Sequence, residues 1–184
     1  MELHRMVFTG SGGQGVITAA ILVAEAAVLY ENLNAVQSQV YGPAARGGAA
    51  RSDVIITDSK IYYPKVIQPN LLVCLTQVAY NQYSSIIRPG GLLLTDTKYV
   101  KTERKVSANQ VELPMYETVL DKIGKPLVFN ICMLGVVIGL TEIVKPESIM
   151  KALGTRFPPA VQETNGKALE LGIKLGGEQK FCTI

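Results

Sequence analysis

Apolar runs alternate along the chain with polar, glycine-rich breaks, and their lengths sort into two kinds. Leu3–Thr9, Ala35–Val40, Asp53–Thr57, Leu71–Thr76, Leu92–Thr95 and Val106–Leu113 are short and read as strands, Asp53–Thr57 being rich in β-branched residues. Val16–Tyr30, Val78–Ile87, Tyr116–Ile123, Pro146–Gly154 and Val161–Leu175 read as helices, with Gly124 and Pro146 in the stop and start positions that suit them. Strands that alternate with helices predict an α/β protein, a three-layer α/β/α arrangement around a mostly parallel, Rossmann-like sheet. Leu71–Thr76 is apolar throughout, as a strand covered on both faces would be. Asp58-Ser59-Lys60 reads as a turn into Ile61–Tyr63, which predicts a hairpin that adds antiparallel strands. The tail from Gly176 onward reads as frayed. Without a repeat or a linker along it, the chain reads as a single domain over residues 1–184.

Leu127–Leu140 is the most apolar stretch, and Asn130 is its one strongly polar side chain. It falls short of the about 20 residues that a membrane span needs. A helix apolar on every side must be buried on every side, either centrally or against another subunit. Gly135 and Gly139, four apart, share one face and admit another backbone closely.

Composition narrows the function classes. Apolar residues make up 48% of the 184 and charged ones only 18%, so part of the surface is expected to be covered by other subunits, and the free chain to self-associate. The net charge of +3 is mild, and no Lys/Arg run with interleaved aromatics points to nucleic acid. The first residues lack the plan of a signal peptide, which makes the cytoplasm the expected compartment, with no membrane partner. Cys74, Cys132 and Cys182 are widely separated, a spacing that predicts no iron–sulfur or zinc site on this chain. The single histidine, His4, opens the first strand and reads as structural.

Two loops carry candidate chemistry. Gly10-Ser-Gly-Gly-Gln-Gly15 follows the first strand and opens a helix, so Gly10, Gly12 and Gly15 fit the GxGxxG spacing in its proper setting. Glycines there permit a tight turn, and the helix N-terminus offers N–H groups to an anion; Gly13 and Gln14 belong to the same anion-binding candidate. A dinucleotide site also needs an acid at the end of the second strand to hold ribose hydroxyls. Ala35–Val40 offers Gln37 and Gln39 instead. Tyr41–Arg51 holds three glycines, a proline and two arginines. Gly47 and Gly48 leave room beside Arg46 for a carboxylate or phosphate, while Arg51 reads as an edge residue or an ion-pair partner. No nucleophile elbow, phosphate loop of the Gly-Lys-Ser/Thr kind or His/Cys/carboxylate cluster is legible, and no catalytic residue is assigned.

Taken together, Gly10-Ser-Gly-Gly-Gln-Gly15, Gln37-Ser-Gln-Val-Tyr-Gly-Pro-Ala-Ala-Arg-Gly-Gly48, Ser52-Asp-Val-Ile-Ile56, Ile61-Tyr-Tyr-Pro64, Pro69-Asn-Leu-Leu-Val73 and Gly90-Gly-Leu-Leu-Leu-Thr-Asp96 resemble the gamma subunit of 2-oxoacid:ferredoxin oxidoreductases. Gln39-Val-Tyr-Gly-Pro-Ala-Ala-Arg-Gly-Gly48 looks most like the 2-oxoglutarate type, although Ala44 departs from an acid often found there. The resemblance implies a complex with alpha, beta and delta (ferredoxin-like) subunits that supply thiamine diphosphate, magnesium and iron–sulfur clusters. It implies CoA-dependent oxidative decarboxylation of 2-oxoglutarate to succinyl-CoA, with electrons passed to ferredoxin or another acceptor in anaerobic metabolism. This chain would bind no cofactor alone, would not be catalytic alone, and would cover the active site with Arg46, Gly47 and Gly48. The rival reading is a free-standing dinucleotide-binding oxidoreductase that uses Gly10–Gly15.

Overall fold

The computed structural model describes residues 3–40, 49–103 and 106–180. Six strands, β1 (His4–Gly10), β2 (Asn34–Val40), β3 (Ala50–Thr57), β4 (Leu71–Cys74), β5 (Gly91–Asp96) and β6 (Ala108–Leu113), form one sheet in the order β2-β3-β1-β4-β5-β6. β1, β4, β5 and β6 pair in parallel, whereas β3 runs antiparallel to both of its neighbours, β2 and β1. Among the described residues, five strands therefore point one way and β3 is reversed, which bears out the mostly parallel α/β expectation.

The hairpin expected near residue 60 is not there. Residues 61–69 are irregular, and the antiparallel pairing is made by β2 and β3 instead. The reason lies in the strand order: both edges of β3 are already hydrogen-bonded, so Ile61–Tyr63 has no free edge to join. Pro64 and Pro69 also lack the N–H that a ladder needs.

Alternation along the strands sends side chains to two cores. Met6, Phe8, Val54, Ile56, Leu71, Val73 and Leu94 meet the helices α1 (Val16–Tyr30), α3 (Met115–Ile123), α4 (Phe129–Thr141), α5 (Pro146–Arg156) and α6 (Pro159–Lys180). Val7, Ile55, Leu72, Cys74 and Leu93 face the opposite side, covered by α2 (Gln77–Tyr83) through Tyr80 and by Val66, Ile87 and Val100. Among the described residues the layers are thus unequal: five α-helices on one face, one α-helix and loops on the other.

α4 is the centre of the thicker layer. Every residue from Phe129 to Gly139 is buried, and the cover comes from the chain's own α1, α3 and α6 rather than from another subunit. A side chain at Gly135 would strike the backbone of Leu169 and lie 3.0 Å from the Gly172 Cα; one at Gly176 would lie 2.5 Å from the Val136 carbonyl. Four glycines, Gly135 and Gly139 on α4 with Gly172 and Gly176 on α6, therefore let two helix backbones touch. The same contact corrects the expectation of a frayed tail: α6 runs on through Gly176 to Lys180, because that glycine is a packing residue and not a stop.

Candidate functional site

The strand order gathers the chemistry at one edge. The chain leaves β1 through α1 on the thick face, whereas β4 leads into α2 on the thin face, and β1 and β4 are neighbours. Their carboxyl ends therefore flank a topological switch point, where open α/β sheets bind ligands. Gly10 closes β1 there. Thr76 caps α2 just after β4, its hydroxyl accepting the Ala79 N–H at 3.2 Å.

Gly10–Gly15 is a tight turn braced from within. Gln14 folds back so that its Oε1 accepts the Ser11 N–H at 2.7 Å and its Nε2 donates to the Leu75 carbonyl at 3.3 Å, while the Gln14 N–H bonds the Ser11 carbonyl at 3.2 Å. A Cβ at Gly10 would lie 2.6 Å from Gln14 Oε1, so this glycine makes room for the brace. Gly15 sits at φ 72° as the N-cap of α1, against Asn130, whose Nδ2 donates to the Gly15 carbonyl at 3.4 Å. Gly12 and Gly13 have only open space where side chains would stand, and there the turn bares its backbone. The contrast is testable. Gly12→Ala should leave stability within about 0.5 kcal/mol of the parent. Gly15→Ala should lose about 1–3 kcal/mol, from left-handed strain and displacement of Asn130. Chemical denaturation of the two variants checks both.

β3 begins at the same edge. Being reversed, it starts where β1 and β2 end: Ala50 pairs with Gly10, and Arg51 with Thr9 and Val40. Arg46, Gly47 and Gly48 lie outside the described residues; β3, which follows them, begins beside the glycine turn. Arg51 is an ion-pair partner. Its Nε and Nη2 meet Asp53 Oδ1 and Oδ2 at 2.6 and 2.9 Å, Nη2 also donates to the Val66 carbonyl at 2.9 Å, and the guanidinium lies 5.3 Å from the Tyr83 ring centre. That fork is spent on structure.

Farther along the edge, Asp96 ends β5 fully buried. Its oxygens accept the backbone N–H groups of Lys98 at 3.0 Å and Tyr116 at 2.8 Å, so it ties the loop after β5 to the first turn of α3. Burial pushes its carboxyl above the usual range. Tyr116, whose N–H Asp96 holds, meets Tyr99 and Phe129 edge to face, with Lys98 Nζ 3.9 Å from the centre of the Tyr116 ring. Cys74 and Cys132 are buried free thiols pushed up to about 12 by burial, which leaves them inert at neutral pH. Among the described residues no three His, Cys, Asp or Glu side chains are placed to hold a metal ion.

Sequence reasoning named Gln14 as a binding residue, and the structure places its side chain in the brace of the turn. It noted Asn130 as the lone polar group of an apolar helix without a role, and its role is to seat Gly15. A dinucleotide has poor footing here. β2 ends without an acid, and β3 stands between β2 and β1, which removes the second strand's end from the turn.

An open sheet with its glycine turn at the switch point and a reversed strand beside β1 defines a Rossmann-like α/β fold. The chain belongs to the pyruvate ferredoxin/flavodoxin oxidoreductase family, whose model matches residues 5–175. It is 42% identical over 172 residues to the 2-oxoglutarate synthase subunit KorC of Methanocaldococcus jannaschii, covering 92% of each chain. To the pyruvate synthase subunit PorC of the same organism it is 28% identical over 167 residues, covering 89% of this chain and 92% of that one. Among solved structures, the gamma subunit of a keto/oxoacid ferredoxin oxidoreductase from Geobacter sulfurreducens superposes with a TM-score of 0.89 at 36% identity, covering 97% of this chain and 98% of that one.

Proposed function

We propose that this chain is the gamma subunit of a 2-oxoglutarate:ferredoxin oxidoreductase, an accessory part of an enzyme that converts 2-oxoglutarate and coenzyme A to succinyl-CoA and carbon dioxide. The observation that carries the substrate assignment is the gap between 42% identity to a 2-oxoglutarate synthase subunit and 28% to a pyruvate synthase subunit of one organism. Thiamine diphosphate, magnesium and iron–sulfur clusters sit on the alpha, beta and delta subunits in this reading, and the complex works in the cytoplasm. The whole chain acts as one gamma-type domain.

The edge of the sheet faces the partners' active site. Gly12 and Gly13 offer backbone N–H groups to an anion, and Arg46, flanked by Gly47 and Gly48, supplies a guanidinium to a 2-oxoacid carboxylate or a coenzyme A phosphate. Asp96 and its aromatic neighbours hold this edge rigid. The free subunit self-associates through exposed residues such as Leu29 and Leu127, not through the buried α4.

Affinity purification of the tagged chain from its native host tests the assignment. The recovered complex should reduce a viologen dye with 2-oxoglutarate and coenzyme A at least tenfold faster than with pyruvate. Equal rates, or a preference for pyruvate, would overturn the substrate assignment.

A further inference from the structure

β2 is the outermost strand on its side of the sheet, and among the described residues no strand lies beyond it. Its run Asn34-Ala-Val-Gln-Ser-Gln-Val40 carries neither a charge nor a proline, and its register with β3 runs through all seven residues without a bulge. Charges, prolines and bulges are the devices that keep an edge strand from pairing with another chain, and β2 has none of them. Two of its side-chain amides turn inward. Gln37 Nε2 donates to Ser52 Oγ at 2.6 Å, and Asn34 Nδ2 donates to the Asp58 carbonyl at 3.3 Å.

A groove of about 410 Å³ lies between this strand and α1, with Ile21, Ala24, Val28 and Leu29 on one wall and Ala35 and Gln37 on the other. The helix explains its apolar lining. Glu25 is the only charged residue of α1, and a helix apolar on nearly every side calls for cover on nearly every side. α4 finds that cover within the chain, whereas α1 leaves Val28 47% and Leu29 62% exposed in its last turn. Glu25 itself, at the groove, is paired with Arg156 at 2.9 Å.

We propose that a second copy of this chain covers this face, β2 pairing antiparallel with its counterpart across a twofold axis so that two six-stranded sheets become one. An antiparallel pair of identical strands is self-complementary, as a twofold interface requires. No like charges meet in it, because β2 is uncharged and Glu25 is already answered by Arg156. Strand pairing alone falls short of the about 800 Å² that each partner of a stable dimer buries. The groove supplies the rest, seating Val28 and Leu29 of each copy against α1 and β2 of the other. This inference rests on the self-association expected of the free subunit and gives it one face and one symmetry. It is independent of the 2-oxoglutarate assignment, since the joint runs along the side of the sheet and is read on the isolated chain.

Sedimentation equilibrium of the isolated chain over a hundredfold range of concentration should fit a monomer–dimer equilibrium. Hydrogen exchange should be slower at the amides of residues 34–40 at high concentration than at low. Ser38→Lys on the edge and Val28→Lys in the groove each set two like charges across the axis and should raise the dissociation constant at least tenfold. Tyr62→Lys, at a side chain 85% exposed on another part of the surface, should leave it unchanged. Should a lysine variant fail to fold, hydrogen exchange on the parent chain decides the question alone. A monomer at every concentration would overturn the proposal and leave the face to a different subunit. So would a dimer without slowed exchange at residues 34–40, a dimer that survives both substitutions, or assemblies that grow beyond two copies.

Discussion

Gly172→Ala should cost the protein about 2–4 kcal/mol of stability, and Gly172→Val should leave too little folded protein to purify. A side chain at Gly172 would run into the Cys132 carbonyl and stand 2.9 Å from the Gly135 Cα. Both obstacles are backbone of a helix buried on all sides, so neither can swing away as a side-chain tip would. Alanine is otherwise the better helix former by about 1 kcal/mol, and that gain offsets only part of the overlap. Gly177→Ala is the internal control. It lies one position from Gly176 on the same helix with nothing within 4 Å of the added carbon, and it should stabilise the protein by roughly 0.5–1 kcal/mol. Urea denaturation of the three proteins reads the difference. Equal stability of Gly172→Ala and Gly177→Ala would mean that α4 and α6 do not touch as described.

Arg46→Lys in the assembled complex should raise the Michaelis constant for coenzyme A or 2-oxoglutarate ten- to a hundredfold, with assembly unchanged. A charge-assisted hydrogen bond contributes about 1.5–3 kcal/mol, and lysine keeps the charge but loses the planar fork. Arg51→Lys makes a useful comparison, because Arg51 is bound to Asp53, Val66 and Tyr83 within the chain. Its loss should lower stability rather than alter one substrate's Michaelis constant. Steady-state kinetics of the two complexes separate these outcomes. Unchanged constants for both substrates in Arg46→Lys would leave its loop as plain interface.

Much of the fold was legible because periodicity reports burial. The apolar run Val16–Tyr30 coincides with α1, and the continuous runs at Leu71 and Leu92 became the central strands β4 and β5. Gly124 ends α3 in the left-handed conformation that its position suggested. What the residues did not announce was pairing. Nothing in Ala50–Thr57 says that it inserts antiparallel between β1 and β2, because side-chain alternation is the same for either direction. The hairpin expectation at Ile61–Tyr63 failed for that reason. Gly176 looked like a terminator because a glycine after an apolar stretch usually is one, and only the tertiary contact with Val136 reveals its use.

The site was legible by composition and not by geometry. Two glycine-rich loops stood out as strings some thirty residues apart. Only the reversed β3 shows that Ala50, just past the second string, stands beside Gly10. Gln14 sits in a binding motif by spacing, yet its amide is occupied with Ser11 and Leu75.

If this chain is a necessary but non-catalytic subunit of a 2-oxoglutarate oxidoreductase, reconstitution of the complex from separately purified subunits, with and without it, is the most direct measurement. The complete set should reduce viologen with 2-oxoglutarate and coenzyme A, the set lacking this chain should fall at least a hundredfold, and this chain alone should show no activity. Full activity without it, or 2-oxoglutarate oxidation by the isolated chain with NAD, would contradict the account.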